Sequence, residues 1–199
     1  MEPVASSRRT ESGDDPAEII RSSRHEPERF GLLFDLYAEE IHRYVSHRLG
    51  ADLAEDVVAE TFLAAFRHRS RYDAGRAPVR GWLFGIATKL IGKHRRAEIR
   101  ELRALARIDA RCAGEGHEDR VAEKVSAAAL HPSLSKVIST LPRRDRDVLL
   151  LVALAGLSHA EVAAALGIPF GTVGSRLNRV RKKLRAALGE VGPASNEKE

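Results

Sequence analysis

The sequence predicts an all-α protein: two small helical domains joined by a flexible linker. Three observations carry this. Long segments place apolar residues at helical spacing. Proline and glycine fall where such segments start and stop. No stretch of four or more residues alternates cleanly with β-branched or aromatic residues, so no strand is predicted. The chain has 199 residues, 43% apolar and 31% charged, enough for one ordinary domain or two small ones and too apolar for wholesale disorder.

Residues 1–26 are rich in Ser, Arg, Glu, Asp and Pro and read as a disordered arm in which only Ile19 and Ile20 look foldable. After Pro27, the residues Phe30, Leu33, Phe34, Tyr37, Ile41, Tyr44 and Val45 form one helical stripe, closed by Gly50. A second helix starts at Asp52, which can cap it with Glu55 three residues on; its stripe is Ala54, Val57, Val58, Thr61, Phe62, Ala65 and Phe66. Ser70 to Ala77 reads as a loop. Pro78 opens a third helix, to about Ile108, with Trp82, Leu83, Ile86, Leu90 and Ile91 on its apolar face. These elements make one domain over 27–108.

Residues 109–130 lack an apolar period and read as the linker, with room for a short helix at Val121–Leu130. A second domain spans 131–188. Pro132 and Pro142 open its first two helices and Gly156 ends the second. Ser158 with Glu161 forms a capping box for the next, which Gly167 closes. Pro169 begins the last helix. The polar tail, 189–199, reads as disordered.

The net charge is +5, from 33 Lys and Arg against 28 Asp and Glu. That balance favours a polyanion, either nucleic acid or an anionic membrane surface. The longest apolar stretch, Val148–Leu157, has ten residues, whereas a span needs about 20, so no membrane insertion is expected. The N-terminus has no apolar core and does not read as a secretory signal. The lone Cys112 cannot form an internal disulfide, which fits the cytoplasm. Cys112 and His117 share the linker, but two ligands do not make a zinc site. Cys112 reads as an inert thiol ahead of a redox switch. No GxxxxGK[ST], HExxH or GxSxG motif occurs, so neither enzyme activity nor any cofactor is expected.

Charge is unevenly placed. Gly171 to Ala187 holds six basic residues and no acid. This last helix follows a helix and a short turn, the layout of a helix-turn-helix, whose second helix enters the major groove N-terminus first. Thr172 and Ser175 are small enough for close approach. Arg176 suits a base or phosphate; Arg179, Arg181, Lys182 and Lys183 suit phosphates. Lys89 to Arg111 holds eight basic residues and three acids. Asp52 to Thr61 holds Asp52, Glu55, Asp56 and Glu60 and no base. Acids near a helix N-terminus gain about 0.3–1 kcal/mol each from the macrodipole, which accounts for the first three without any partner. Trp82 on an apolar face is a core residue or a surface for a base.

The run LSHAEVAAALGIPFGTVGSRLNRVR resembles region four of bacterial sigma factors of the sigma-70 family, in particular the extracytoplasmic-function (ECF, group 4) type. The segments AEDVVAETFLAAFR and APVRGWLFGIATKLIGKHRRAEIR resemble parts of sigma region two. The resemblance implies a region 2 domain at 27–108, a region 4 helix-turn-helix at 131–188, and a role in binding core RNA polymerase and directing promoter-specific initiation. Thr172, Ser175, Arg176, Arg179 and Lys183 would contact the −35 element. Tyr72, Arg76, Trp82, Lys89, Lys93, Arg95 and Arg96 would read and open the −10 element, with Arg100 on a phosphate. Asp52, Glu55, Asp56 and Glu60 would dock on the β′ clamp helices, and region four on the β flap. An anti-sigma factor is the expected regulator. The chain departs from the family at Gly174, often Lys, at Lys89, often Asn, and at Phe66, commonly Trp. The alternative is a stand-alone helix-turn-helix regulator with an N-terminal ligand or dimerisation domain.

Overall fold

The computed structural model describes the backbone of residues 15–112 and 137–189, and the side chains of 15–100 and 137–186. Every regular element among them is helical. The short helix read at 121–130, the start at Pro132, the Cys112 and His117 side chains and the tail beyond 189 lie outside the described residues.

The first element corrects the reading of 1–26 as an arm. Helix α1 (Pro16–Ser22) is capped by Asp15, whose Oδ1 accepts from the Ala17 N–H at 3.1 Å. Its two isoleucines, Ile19 and Ile20, are fully buried in the main core. The polar composition of the arm hides one apolar turn, and two adjacent isoleucines suffice to seat it. Ile20→Ala is therefore expected to destabilise the N-terminal half by about 2–5 kcal/mol in urea unfolding. A loss well below that range would mean that α1 detaches at that lower cost.

A 3₁₀ turn at Pro27–Phe30 leads into α2 (Gly31–Leu49), so Pro27 opens a tighter turn than the α-helix expected there. Gly50 ends α2 at φ 92°, a backbone that glycine adopts without a Cβ clash. Helix α3 (Ala54–His68) begins two residues past Asp52. The predicted Asp52 cap does not form. The Ala54 N–H bonds the Ala51 carbonyl, this turn sets the start, and Leu53 stands at the N-cap with no side-chain bond. Glu55 and Asp56 occupy the first turn, where the macrodipole favours them. Helix α4 (Val79–Cys112) is the spine. Its apolar face, with Leu83, Phe84, Ala87 and Ile91 buried, packs on α2 and α3.

In the C-terminal half a helical turn at 137–140 precedes α5 (Arg143–Ala153), α6 (His159–Leu166) and α7 (Phe170–Gly189). The capping box at the start of α6 forms in full: the Glu161 N–H bonds Ser158 Oγ, and the Ser158 N–H bonds Glu161 Oε2. Gly167 at φ 63° ends α6 in the left-handed conformation, and a three-residue turn launches α7. Val173, Leu177 and Val180 bury one face of α7, which lies on α5 and α6.

The two halves touch. Helix α6 lies along α4, and one apolar cluster runs from Ile19 through Phe84 to Val162 and Leu177.

Candidate nucleic-acid interface

Helix α7 points a polar N-terminal turn outward. Gly171, Gly174 and Ser175 are exposed, Thr172 is half-buried, and a Cβ added at Gly174 would meet nothing within 4 Å. Ser175 Oγ donates to the Thr172 carbonyl at 3.0 Å. The exposed flank continues with Arg179, Arg181, Lys182 and Lys183. Two arginines are held from beneath by α5. Arg176 Nη1 donates to the Arg144 carbonyl at 3.4 Å, and Arg179 Nη1 donates to both carboxylate oxygens of Asp145 at 3.2 Å. Asp145 is buried under that contact. A charged pair with one exposed partner fixes where the guanidinium sits while leaving its outer edge for an anion.

A second basic surface is built by α4 and the loop before it. Tyr72 folds this loop back: its hydroxyl donates to the Ala77 carbonyl at 2.9 Å, and its ring meets Trp82 at 5.0 Å. Burial raises the pKa of Tyr72, with Asp15 adding in the same direction. Asp73 Oδ1 accepts from the Gly75 N–H at 2.9 Å and tightens the tip. Arg69 ties the loop base to the N-terminal segment: it donates to the Ser23 and Phe66 carbonyls and stacks 3.8 Å from the Phe66 ring centroid. Arg71, Arg76, Lys89, Lys93 and Arg96 are exposed. Trp82 is half-buried: it packs on Tyr72 and lines an open cleft of about 810 Å³ with Tyr72, Arg76, Lys89, Ile168 and Phe170. Trp82 is thus packed against Tyr72 and also open to the cleft.

Arg95 is a correction. It was expected to meet DNA, but it is only 7% exposed and its Nη2 donates to the Arg48 carbonyl. Burial, then the neighbouring Arg48, lowers its pKa to about 10. Helical phase explains this: Arg95 lies four residues after Ile91, on the buried side of α4, whereas Lys89, Lys93 and Arg96 lie outward.

The acidic residues Asp52, Glu55 and Asp56 are exposed at the start of α3. Glu60 is half-buried, 3.5 Å from His94 Nε2. Beside them runs an apolar strip that helical spacing alone did not flag. Phe34 is 47% exposed and Leu63 48%, and Leu53 is exposed as well. Phe34, Ala38, Val58 and Ala59 line a groove of about 340 Å³ rimmed by Glu39 and Glu55. Phe34 read as part of the buried stripe of α2 but is exposed, while Leu33, Ile41, Tyr44 and Val45 of the same stripe are buried.

The family model for sigma-70 region 2 matches residues 33–101, and that for sigma-70 region 4 matches residues 132–184; together they span more than half the chain. The chain belongs to the sigma-70 family. The ECF RNA polymerase sigma factor SigL of Mycobacterium tuberculosis is 33% identical over 162 residues, 80% of this chain and 89% of that protein. BldN of Streptomyces coelicolor, also an ECF sigma factor, is 30% identical over 173 residues; the match covers 85% of this chain and 64% of BldN. The structure of CnrH in complex with the cytosolic domain of CnrY shares the fold, with a TM-score of 0.61 at 24% identity, over 89% of this chain and 99% of that one.

In this sigma factor region 2 comprises α2, α3 and most of α4, and region 4 ends on α7. Among the described residues, no helix is long and apolar enough to cross a membrane.

Proposed function

We propose that this sigma factor binds core RNA polymerase in the cytoplasm and directs it to promoters, with α7 on the −35 element and the Tyr72–Arg96 surface on the −10 element. The observation that carries this is the pairing, on one chain, of an outward basic recognition helix with a second basic surface whose aromatic pair, Tyr72 and Trp82, can stack a displaced base. Thr172, Ser175, Arg176, Arg179 and Lys183 serve the duplex. Tyr72, Arg76, Trp82, Lys89, Lys93 and Arg96 serve the opened strand. Asp52, Glu55, Asp56 and Glu60, with the apolar strip of Phe34 and Leu63, form the face for a basic helical partner on the polymerase clamp. Region 4 holds the β flap, and an anti-sigma factor regulates the assembly. The chemistry of nucleotide addition belongs to the polymerase; this chain positions and opens DNA.

The test is in vitro transcription with purified core polymerase. Core plus this chain is expected to start at defined sites that share two elements, and core alone is not. Trp82→Ala is expected to reduce open-complex formation by about 10- to 100-fold, since stacking contributes about 1–3 kcal/mol per base, while duplex −35 binding stays unchanged. Tight binding of an operator by the chain alone, as a dimer across two half-sites, would favour the stand-alone regulator instead.

A further inference from the structure

Arg69 sits where α1 ends, α3 ends and the Tyr72 loop begins. Helix α3 stops at His68, and the chain makes a single 3₁₀ turn, Arg69–Arg71, before Tyr72. Arg67, His68, Ser70 and Arg71 are exposed, whereas Arg69 turns inward. Its Nε donates to the Ser23 carbonyl at 3.2 Å, and its Nη1 donates to the Phe66 carbonyl at 2.8 Å. The guanidinium lies 3.8 Å from the Phe66 ring centroid, and that ring meets Phe30 edge-on at 5.3 Å.

Both carbonyls belong to helix C-termini, where backbone acceptors lack partners within the helix and the dipole favours a cation. Ser23 is the C-cap of α1; it is fully buried, and its Oγ donates to the Ile20 carbonyl at 2.8 Å. The N–H groups of the turn after α1 go to the Arg21 and Ser22 carbonyls, which leaves the Ser23 carbonyl to Arg69. Helix α1 precedes residues 33–101, the part of the chain that the region 2 model matches. A helix outside that match thus grips the entry to the Tyr72 loop.

The backbone of Arg69 serves the loop itself. Its carbonyl accepts from the Tyr72 N–H at 3.2 Å, and Tyr72 leaves the turn extended, at φ −65° and ψ 134°. Beyond it, the Asp73 carbonyl accepts from the Arg76 and Ala77 N–H groups at 3.1 and 3.3 Å. These local bonds fix the shape of the loop. Its placement depends on its two ends: α4 begins at Val79 on one side, and on the other the 69–71 turn joins it to α3. Burial, then Asp15 at the N-cap of α1, raises the pKa of Tyr72, so both ends of α1 act on this loop. The Tyr72 ring meets Trp82 at 5.0 Å with the planes 50° apart, so a shift at the entry moves one ring against the other. A binding constellation has to be held to about 0.5 Å by the packing and hydrogen bonds behind it.

We propose that Arg69 is a positioning residue for the −10 element: anchored on α1 and α3, it holds Tyr72 against Trp82 so that the pair can stack a displaced base. Arg69 acts through Tyr72, and α1 acts through Arg69. The proposal rests on the reading of the aromatic pair as the stacking surface for opened DNA. Its test is binding of the polymerase holoenzyme to promoters opened by mismatches at the −10 element, with an abasic site placed in turn at each position of the displaced strand. The ratio of affinities for intact and abasic strands reports stacking at that position. A change in the folded fraction alone leaves that ratio untouched. Arg69→Met keeps an apolar stem on Phe66 and removes both donors. Arg69→Lys keeps the charge without the planar fork. Ile20→Ala loosens α1 and leaves Arg69 in place. Circular dichroism checks that helix content is kept.

In the parent, one abasic position is expected to weaken binding by about 10- to 100-fold; in Arg69→Met that ratio should fall to about threefold or less, with Arg69→Lys between. Ile20→Ala should lower the ratio in the same direction, and affinity for the −35 duplex should stay unchanged throughout. Trp82→Ala added to Arg69→Met should cause no further loss at that position, because both act on one stack. An unchanged ratio in Arg69→Met and Arg69→Lys, whatever their stability, would overturn the positioning role. A lowered ratio in Arg69→Met with none in Ile20→Ala would overturn the part assigned to α1. No sensitive position in the parent would overturn the stacking reading of Tyr72 and Trp82 and this proposal with it, an outcome read without any variant.

Discussion

Asp147→Asn is expected to split one unfolding transition into two. In the parent, the contact between α4 and α6 and the apolar cluster that runs through both halves couple their unfolding, so denaturant should report one cooperative step. Asp147 is the buried carboxylate opposite Arg48, at 2.7 Å. Burial by itself acts to lower the pKa of Arg48, but Tyr44 and Asp147 outweigh it and hold the guanidinium above its ordinary value. Removing one partner of such a pair leaves a buried charge uncompensated, at a cost of about 3–5 kcal/mol. The halves can escape that cost by separating, which lets water reach Arg48. Each half then unfolds at its own midpoint. Arg48→Met combined with Asp147→Leu should restore a single transition, because an apolar pair of similar volume serves a buried site as well as ions do. A single transition in Asp147→Asn, shifted by less than about 1 kcal/mol, would show that the pair does not hold the halves together.

The legible and illegible parts of this fold separate along a physical line. Local features are written locally. The capping box of Ser158 and Glu161 needs four consecutive residues and formed as read, and so did the left-handed stop at Gly167. The outward basic flank of α7 follows from helical phase. Non-local features were hidden. Asp145, Arg146 and Asp147 stand at the charged start of the helix that Pro142 opens, and nothing in their composition marks them as buried, yet all three are. Asp145 lies under Arg179, Asp147 faces Arg48, and Arg146 Nη2 donates to the Ser139 and Leu141 carbonyls at 2.9 and 2.7 Å. Each partner is distant in sequence or is a carbonyl that composition cannot reveal. Gly85, where a Cβ would stand 2.5 Å from the Ala165 carbonyl oxygen of α6, carried no signal either, since a glycine in a helix reads as a weakness until the neighbouring backbone is seen. The site residues divide the same way: Lys89, Lys93 and Arg96 lie outward as expected, whereas Arg95 turned inward to the Arg48 carbonyl.

Arg176→Ala is expected to weaken promoter binding by the polymerase holoenzyme by about 10- to 100-fold and to relax selection at one −35 base pair. The magnitude follows from about 1–3 kcal/mol for a bidentate arginine on a guanine edge. The geometry separates Arg176 from its neighbour Arg179. Arg176 has one long bond beneath it, 3.4 Å to the Arg144 carbonyl, so its remaining donors can turn toward the groove. Arg179 is already shared with both oxygens of Asp145. A guanidinium so held suits a phosphate, where position matters more than choice of base. Arg179→Ala should therefore weaken all promoters alike, lower the salt dependence by about one counterion, and destabilise region 4 because the buried Asp145 loses its partner. Gly174→Lys supplies the complementary arm: the open space there accepts the longer side chain and adds one cation facing outward. It should raise affinity without changing which −35 sequence is preferred. If Arg176→Ala and Arg179→Ala weaken every −35 sequence equally, then neither residue reads a base, and specificity at that element comes from the shape of the duplex.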